Sequence, residues 1–220
     1  IGTLPGTGLP SESAGQLRPT KDWAPVTFAN ICFGQGVTVT PLQLTRAMAA
    51  IANGGRLMRP LLVREVRDSN GNVVTRHLPQ VERQVVAPEV AETVMAALAG
   101  VIAPGGTGAA AQSELYSSVG KTGTAQKPDH VVGGYSTHAW VGSFLGAAPA
   151  TNARIAVLVA IDEPLGKAYG GVVAAPVFRE IVDWTLSYLD VPPTEPAVQR
   201  TARVRVGAGI VVAKHAATAA

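Results

Sequence analysis

The residues best suited to chemistry stand together in Gly120-Lys121-Thr122-Gly123-Thr124-Ala125-Gln126-Lys127. A lysine followed by two hydroxyl residues around a glycine offers one face of a strand a cation and hydrogen-bond donors, and the missing side chain at Gly123 lets a ligand lie against the backbone. Such a set suits a carboxylate. From these positions alone, an exposed edge strand whose Lys and Thr are ordinary edge residues explains the pattern equally well.

Other chemistries fit worse. Gly120-Lys121-Thr122 could end a phosphate loop, but the glycine needed five residues before Gly120 is Leu115, and Pro128 with Gly133-Gly134 blocks the helix that must follow. A zinc hydrolase needs clustered ligands, whereas His77, His130, His138 and His215 are dispersed and form no H-x-x-x-H or H-E-x-x-H pair. Asp162-Glu163, at the end of an apolar run, reads as a turn cap rather than a catalytic pair. Cys32, alone, permits no internal disulfide and reads as a small buried residue. The formal net charge of +3 is spread without a basic stripe, so nucleic acid is not suggested.

The 220 residues, 47% hydrophobic and 15% charged, suffice for one globular core. Residues 1–36 read as extended loop in need of a partner surface. Thr40-Pro41-Leu42-Gln43 joins a capping hydroxyl, a first-turn proline and a Gln three residues after the cap, and Leu44, Met48 and Ile51 continue at helical spacing until Asn53-Gly54-Gly55. A hairpin follows over 61–86, turning at Asp68-Ser69-Asn70-Gly71-Asn72. A second helix after Pro88 sets Ala91, Val94, Met95, Leu98, Val101 and Ile102 on one stripe. Three strands are expected over about 118–125, 139–145 and 155–161, as neighbours in one antiparallel sheet. A last helix, about 175–189, turns Val177, Phe178, Ile181, Val182, Thr185 and Leu189 inward, with Pro192-Pro193 ending it. Residues 1–191 form the folded part and 192–220 a flexible tail. Gln126–Ser136 reads as a mobile loop beside the candidate site, with Tyr135 an ordinary loop anchor before a ligand contact.

The order of Gly34-Gln35-Gly36-Val37-Thr38-Val39-Thr40-Pro41-Leu42-Gln43-Leu44, Ala52-Asn53-Gly54-Gly55, Gly105-Gly106-Thr107-Gly108, Gly120 to Gln126, His138-Ala139-Trp140-Val141-Gly142, Ala148-Pro149 and Ile155 to Pro164 resembles the class B penicillin-binding proteins of the penicillin-binding protein and serine β-lactamase superfamily, from about Leu4 to Val191. The third signature of that superfamily is K-T-G on an edge strand.

The resemblance implies an α/β (α+β) fold: an antiparallel sheet of about five strands flanked by helices, incomplete at its N-terminal side, of which this chain supplies three strands and the last helix. It implies that Lys121, Thr122, Gly123 and Thr124 bind the free carboxylate of a D-alanyl-D-alanine stem peptide or a β-lactam, and that the backbone N–H of Thr124 is half of an oxyanion hole. No cofactor and no metal are implied. The S-x-x-K serine and lysine and the S-x-N motif, which lie upstream of a stretch like Thr38–Gln43 in the family, are missing there. Ser118-Val119-Gly120-Lys121 matches S-x-x-K only by coincidence, because a strand would point Ser118 and Lys121 to opposite faces.

The expected function is therefore peptidoglycan crosslinking by an acyl-serine D,D-transpeptidase, in division, with this chain inactive alone. Partners implied for the parent protein are a glycan polymerase, divisome proteins and the missing N-terminal portion of the same domain, at the periplasmic face of the bacterial inner membrane. The chain opens Ile1-Gly2-Thr3 without signal or anchor and is read as a fragment or cleaved piece. The alternative is a non-catalytic, truncated binding or sensor module with a penicillin-recognition-like fold.

Overall fold

Pro25 stands at the first turn of α1 (Pro25–Cys32), inside the stretch expected to be loop throughout. The expectation fails because a proline that punctuates a loop is equally at home at a helix start. The computed structural model describes residues 1–129 and 133–195, with only the backbone of two further strands beyond them. α1 buries none of its residues; Phe28 and Phe33 are exposed, and so is Cys32, contrary to its expected burial.

α2 (Pro41–Ala52) begins as its sequence dictates. The Thr40 hydroxyl accepts the Gln43 N–H at 3.2 Å and the Gln43 side chain accepts the Thr40 N–H at 2.9 Å, so two otherwise orphaned donors are satisfied reciprocally. Gln43, buried, also donates to the carbonyls of Thr3 and Ala14 at 3.0 and 2.7 Å, and a bridge joins Gln16 to Thr38. The N-terminal stretch is thereby tied to α2.

The region expected as one hairpin holds two strand pairs. β1 (Arg56–Met58) pairs with β4 (Val81–Gln84), outside the tighter hairpin of β2 (Glu65–Arg67) and β3 (Val73–Arg76). Asp68 turns the inner one by accepting the N–H groups of Asn70 and Asn72, both at 2.9 Å, with Gly71 at φ +85°. α3 follows over Pro88–Ile102.

β5 (Val119–Pro128), β6 (Tyr135–Ala148) and β7 (Ile155–Asp162) make one antiparallel sheet in that spatial order. Period-two alternation sorts their side chains. Val119, Leu145 and Ala147 face Met48 of α2 and Met95 and Leu98 of α3. Phe144, Ala148 and Val159 face the other way, onto Ile102, Tyr116 and the last helix. A one-turn helix, α4 (Gly170–Val173), leads into that helix, α5 (Ala175–Tyr188). Helices thus cover both faces of the sheet. β6 outruns its expected C-terminal end, because the small residues Gly146, Ala147 and Ala148, weak strand formers alone, are recruited by the ladder.

α5 buries Phe178, Val182 and Leu186, and the Phe178 and Phe144 rings meet at 4.7 Å between centroids. The inward set read from sequence is half right. Val177, Ile181 and Leu189 are exposed, and with Trp184 and Tyr188, 71% and 73% exposed and stacked at 5.5 Å, they leave apolar surface on the outside of the helix. Both sides of α5 are apolar, so periodicity could not choose between them.

After α5 the chain is still held. Thr194 donates its N–H to the Leu115 carbonyl at 3.0 Å and its hydroxyl accepts the Ser117 N–H at 2.7 Å. β8 (Ala202–Val206) and β9 (Gly209–Ala213) form an antiparallel pair. The rest of the expected tail, with Arg200, lies outside the described residues, as do His130 and His215.

Two measurements test this packing. Phe178→Ala should cost about 3–5 kcal/mol in urea unfolding, while Trp184→Ala should stay within about 0.5 kcal/mol. Asp183 of α5 accepts a hydrogen bond from the buried Ser113 hydroxyl, which itself accepts the N–H groups of Leu115 and Tyr116. Burial raises its pKa above the ordinary 3.8, against the opposing pull of Ser113 and Arg179. A carboxyl raised by folding contributes stability below its unfolded value and loses it as pH rises through its folded value. Asp183→Asn should therefore remove one falling component from Tm followed upward from pH 3 to 7.

Candidate functional site

Among the described residues, β5 lies at one edge of the sheet, paired only with β6. Its register sets Lys121 opposite Leu145, Thr122 opposite Phe144, Gly123 opposite Ser143 and Thr124 opposite Gly142. The pleat therefore puts Lys121 and Gly123 on the α2–α3 face and Thr122 and Thr124 on the α4–α5 face. The expectation that cation and hydroxyls share one face is corrected by this alternation. What they share is the strand's unpaired edge.

The parity of the ladder decides which backbone groups reach that edge. In an antiparallel pair, successive residues turn N–H and C=O alternately toward and away from a neighbour. The Glu163 N–H donates to Trp140 O at 2.9 Å, so Trp140, Gly142 and Phe144 point their polar groups at β7, and Val141, Ser143 and Leu145 point theirs at β5. Lys121 and Gly123 answer them. The N–H and C=O of Thr122 and Thr124 consequently face outward, beyond the sheet.

Lys121 follows the same geometry. Its side chain is exposed and its Nζ donates to the Thr122 carbonyl at 2.9 Å, one of the outward-facing groups. No carboxylate among the described residues forms an ion pair with it. A cation in that position is available to an external anion. Ser118 is buried with its hydroxyl unpartnered among the described residues, and its even place in the alternation sets it on the face opposite Lys121.

Sequence reasoning missed what packs against this strand. The N-terminus of α4 lies on the β5–β6 backbone: a Cβ added at Gly170 would come within 2.0 Å of Ser143 O and 2.5 Å of Gly123 O, and one at Gly171 within 2.1 Å of Thr107 O. Only glycine fits at either place. The Gly170 N–H reaches the Thr124 hydroxyl at 3.4 Å, and the Thr107 and Thr122 hydroxyls are 3.1 Å apart. The Gly-Gly pair was the available signal, a place where two backbones approach.

At the far end of β5, Lys127 crosses β6 to meet Asp162 at 3.0 Å and Glu163 at 2.7 Å. Its pKa is raised, first by the hydrogen bond to Glu163 and then by that to Asp162. The two acids hold a lysine from the far side of β6, beyond any turn-capping role. Tyr135 and His138 stand exposed on β6. Of the expected mobile loop, 130–132 are outside the described residues; on their flanks, the Asp129 N–H donates to Gly134 O at 3.0 Å.

Among solved structures, the apo transpeptidase domain of Burkholderia pseudomallei penicillin-binding protein 3 is 38% identical with a TM-score of 0.76, over 89% of this chain and 56% of that one. Penicillin-binding protein 3 of Mycobacterium tuberculosis in complex with ampicillin is 34% identical with a TM-score of 0.80, over 90% and 45%. The curated "Probable peptidoglycan D,D-transpeptidase PenA" of Neisseria flavescens is 36% identical over 207 residues, 94% of this chain but 48% of its own length. The chain thus spans about half the length of these three proteins, and about a third of other curated relatives such as the PenA protein of Neisseria gonorrhoeae, at 32% of its length. The model of the penicillin binding protein transpeptidase domain matches residues 1–183, and the chain belongs to that family.

Proposed function

We propose that this chain is the substrate-strand part of a serine D,D-transpeptidase that crosslinks peptidoglycan, acting on D-alanyl-D-alanine stem peptides through an acyl-serine intermediate and reacting with β-lactams in the same way. The observation that carries this reading is the edge of β5, where the Lys121 ammonium, in no ion pair among the described residues, stands beside outward-facing backbone groups of Thr122 and Thr124. Family membership supports it.

The roles follow from charge. Lys121, with the hydroxyls of Thr122 and Thr124, holds the terminal carboxylate of the donor peptide or its β-lactam counterpart, the charge-assisted contact being the stronger kind. Gly123 keeps the strand surface low so that the peptide lies along it as an added strand. The Thr124 N–H donates to the scissile carbonyl oxygen as it becomes anionic, and a donor fixed in a ladder needs no reorganisation at that moment. The attacking serine, its lysine and the S-x-N motif belong to an upstream portion of the same domain. That portion supplies the remaining strands, along the unpaired edge of β7, and covers the apolar outside of α5. Without it this chain forms no acyl-enzyme.

For the parent protein we infer a role in division, a glycan polymerase and other division proteins as partners, and a place at the periplasmic face of the inner membrane. Among the described residues no helix is long and apolar enough to cross a membrane.

Intact-mass detection of a fluorescent penicillin should find no adduct on this chain and one adduct on a version extended upstream through the rest of its domain. An adduct on this chain alone would overturn the division of labour. In the extended protein, Lys121→Ala should slow acylation about 10- to 100-fold, the worth of one charge-assisted hydrogen bond, and an unchanged rate would remove Lys121 from the site.

A further inference from the structure

We infer that Thr107, on the loop after α3, is a positioning residue whose hydroxyl donates to that of Thr122 when a carboxylate is bound, leaving the Thr122 proton for the ligand. The inference rests on the carboxylate-binding role given to Thr122 above. The Thr107 backbone is held from both sides: the Gly106 N–H donates to Ala103 O at 2.8 Å and the Gly108 N–H to Val101 O at 2.9 Å, folding the loop back on the end of α3. Gly171 of α4 lies against it, so close to Thr107 O that no side chain fits between them, and a Cβ there would also touch Thr122 Cγ2 at 3.4 Å. The hydroxyl carried by this fixed backbone is 3.1 Å from that of Thr122.

A threonine hydroxyl has one proton to give and two lone pairs to receive with. Between the two threonines, one hydroxyl donates and the other accepts. If Thr122 donated to Thr107, it would present only lone pairs to an incoming carboxylate, and lone pairs repel an anion. With Thr107 donating, the Thr122 proton is left for the ligand, and that O–H is polarised by the bond it receives, as in any hydrogen-bonded chain. An arriving carboxylate selects this arrangement. Thr107 then acts through Thr122 without touching the substrate.

The test uses the upstream-extended protein, acylated by a penicillin bearing its free carboxylate and, in parallel, by the methyl ester of the same penicillin. Thr107→Val should lower the second-order acylation rate with the acid about three- to tenfold, the worth of one neutral hydrogen bond, and leave the rate with the ester unchanged. Thr107→Ser should restore the wild-type rate. Thr107→Val added to Thr122→Val should cost nothing more than Thr122→Val alone, since the two share one path. Equal losses with acid and ester, additive losses in the double variant, or no loss in Thr107→Val while Lys121→Ala slows the acid would each overturn the role of Thr107. If neither Lys121→Ala nor Thr122→Val distinguishes acid from ester, the carboxylate reading itself falls, and the inference with it.

Discussion

The unpaired edge of β5 is the constraint on which the rest of the structure depends. An edge strand displays a row of backbone donors and acceptors that must be covered, blunted or used. Here β6 takes one side of the row, through the register that pairs Lys121 with Leu145 and Gly123 with Ser143. The other side stays open. For the open side to serve a ligand, the strand must not shift by even one residue, because a slip would exchange the groups that face outward and turn every side chain to the opposite face. Core packing enforces that register. Val119 is locked among Met48 and Ala147 on one face, while Gly120 lies against the Phe144 ring, leaving no room for a Cβ on the other.

The same logic explains the small residues around the site. Gly142 and Gly146 on β6 and Gly170 and Gly171 on α4 would each drive a Cβ into backbone or an aromatic ring. Their absent side chains bring α4 and α5 down onto the sheet, so that Phe178 reaches Phe144 and Gly170 reaches Thr124. The glycines therefore connect the core to the site.

How much of this could be read beforehand depends on where each signal resides. The cap at Thr40 and Gln43, the turn at Asp68 to Asn72 and the three central strands were legible because their causes are local: a hydroxyl, a positive φ, an alternating run. The Lys121 to Thr124 cluster was legible as chemistry for the same reason. Its three-dimensional sense was not, since a linear motif does not show which residues share a face until the pleat is applied. The Gly170-Gly171 pair signalled a close approach, but that it and Thr107 meet Thr122 was beyond reach, because the meeting comes from a loop and a helix start far apart in sequence. The helix at Pro25–Cys32 was missed amid Gly and Pro that read as loop.

α5 failed in a more informative way. Its sequence carries two apolar sides, and only one is used: Phe178, Val182 and Leu186 enter the core, while Ile181, Trp184 and Tyr188 remain outside. Arg179, Glu180 and Asp183 lie among these residues, so the exposed half of the expected inward set forms an apolar patch on an otherwise polar outer side. β7 is an apolar strand with one edge unpaired among the described residues. The β5 edge and the β7 edge are the two margins of a single three-stranded sheet, and they differ in what their chemistry asks for. β7 carries Ile155, Val157, Val159 and Ile161, which pack on one face of the sheet into the core shared with α5, side chains that contribute burial and nothing to recognise. β5 carries a cation, hydroxyls and a glycine, which offer recognition and little burial. On the function proposed above, a partner strand of protein gains most at β7 and a small anionic peptide at β5, so the two margins of one sheet divide between folding and function.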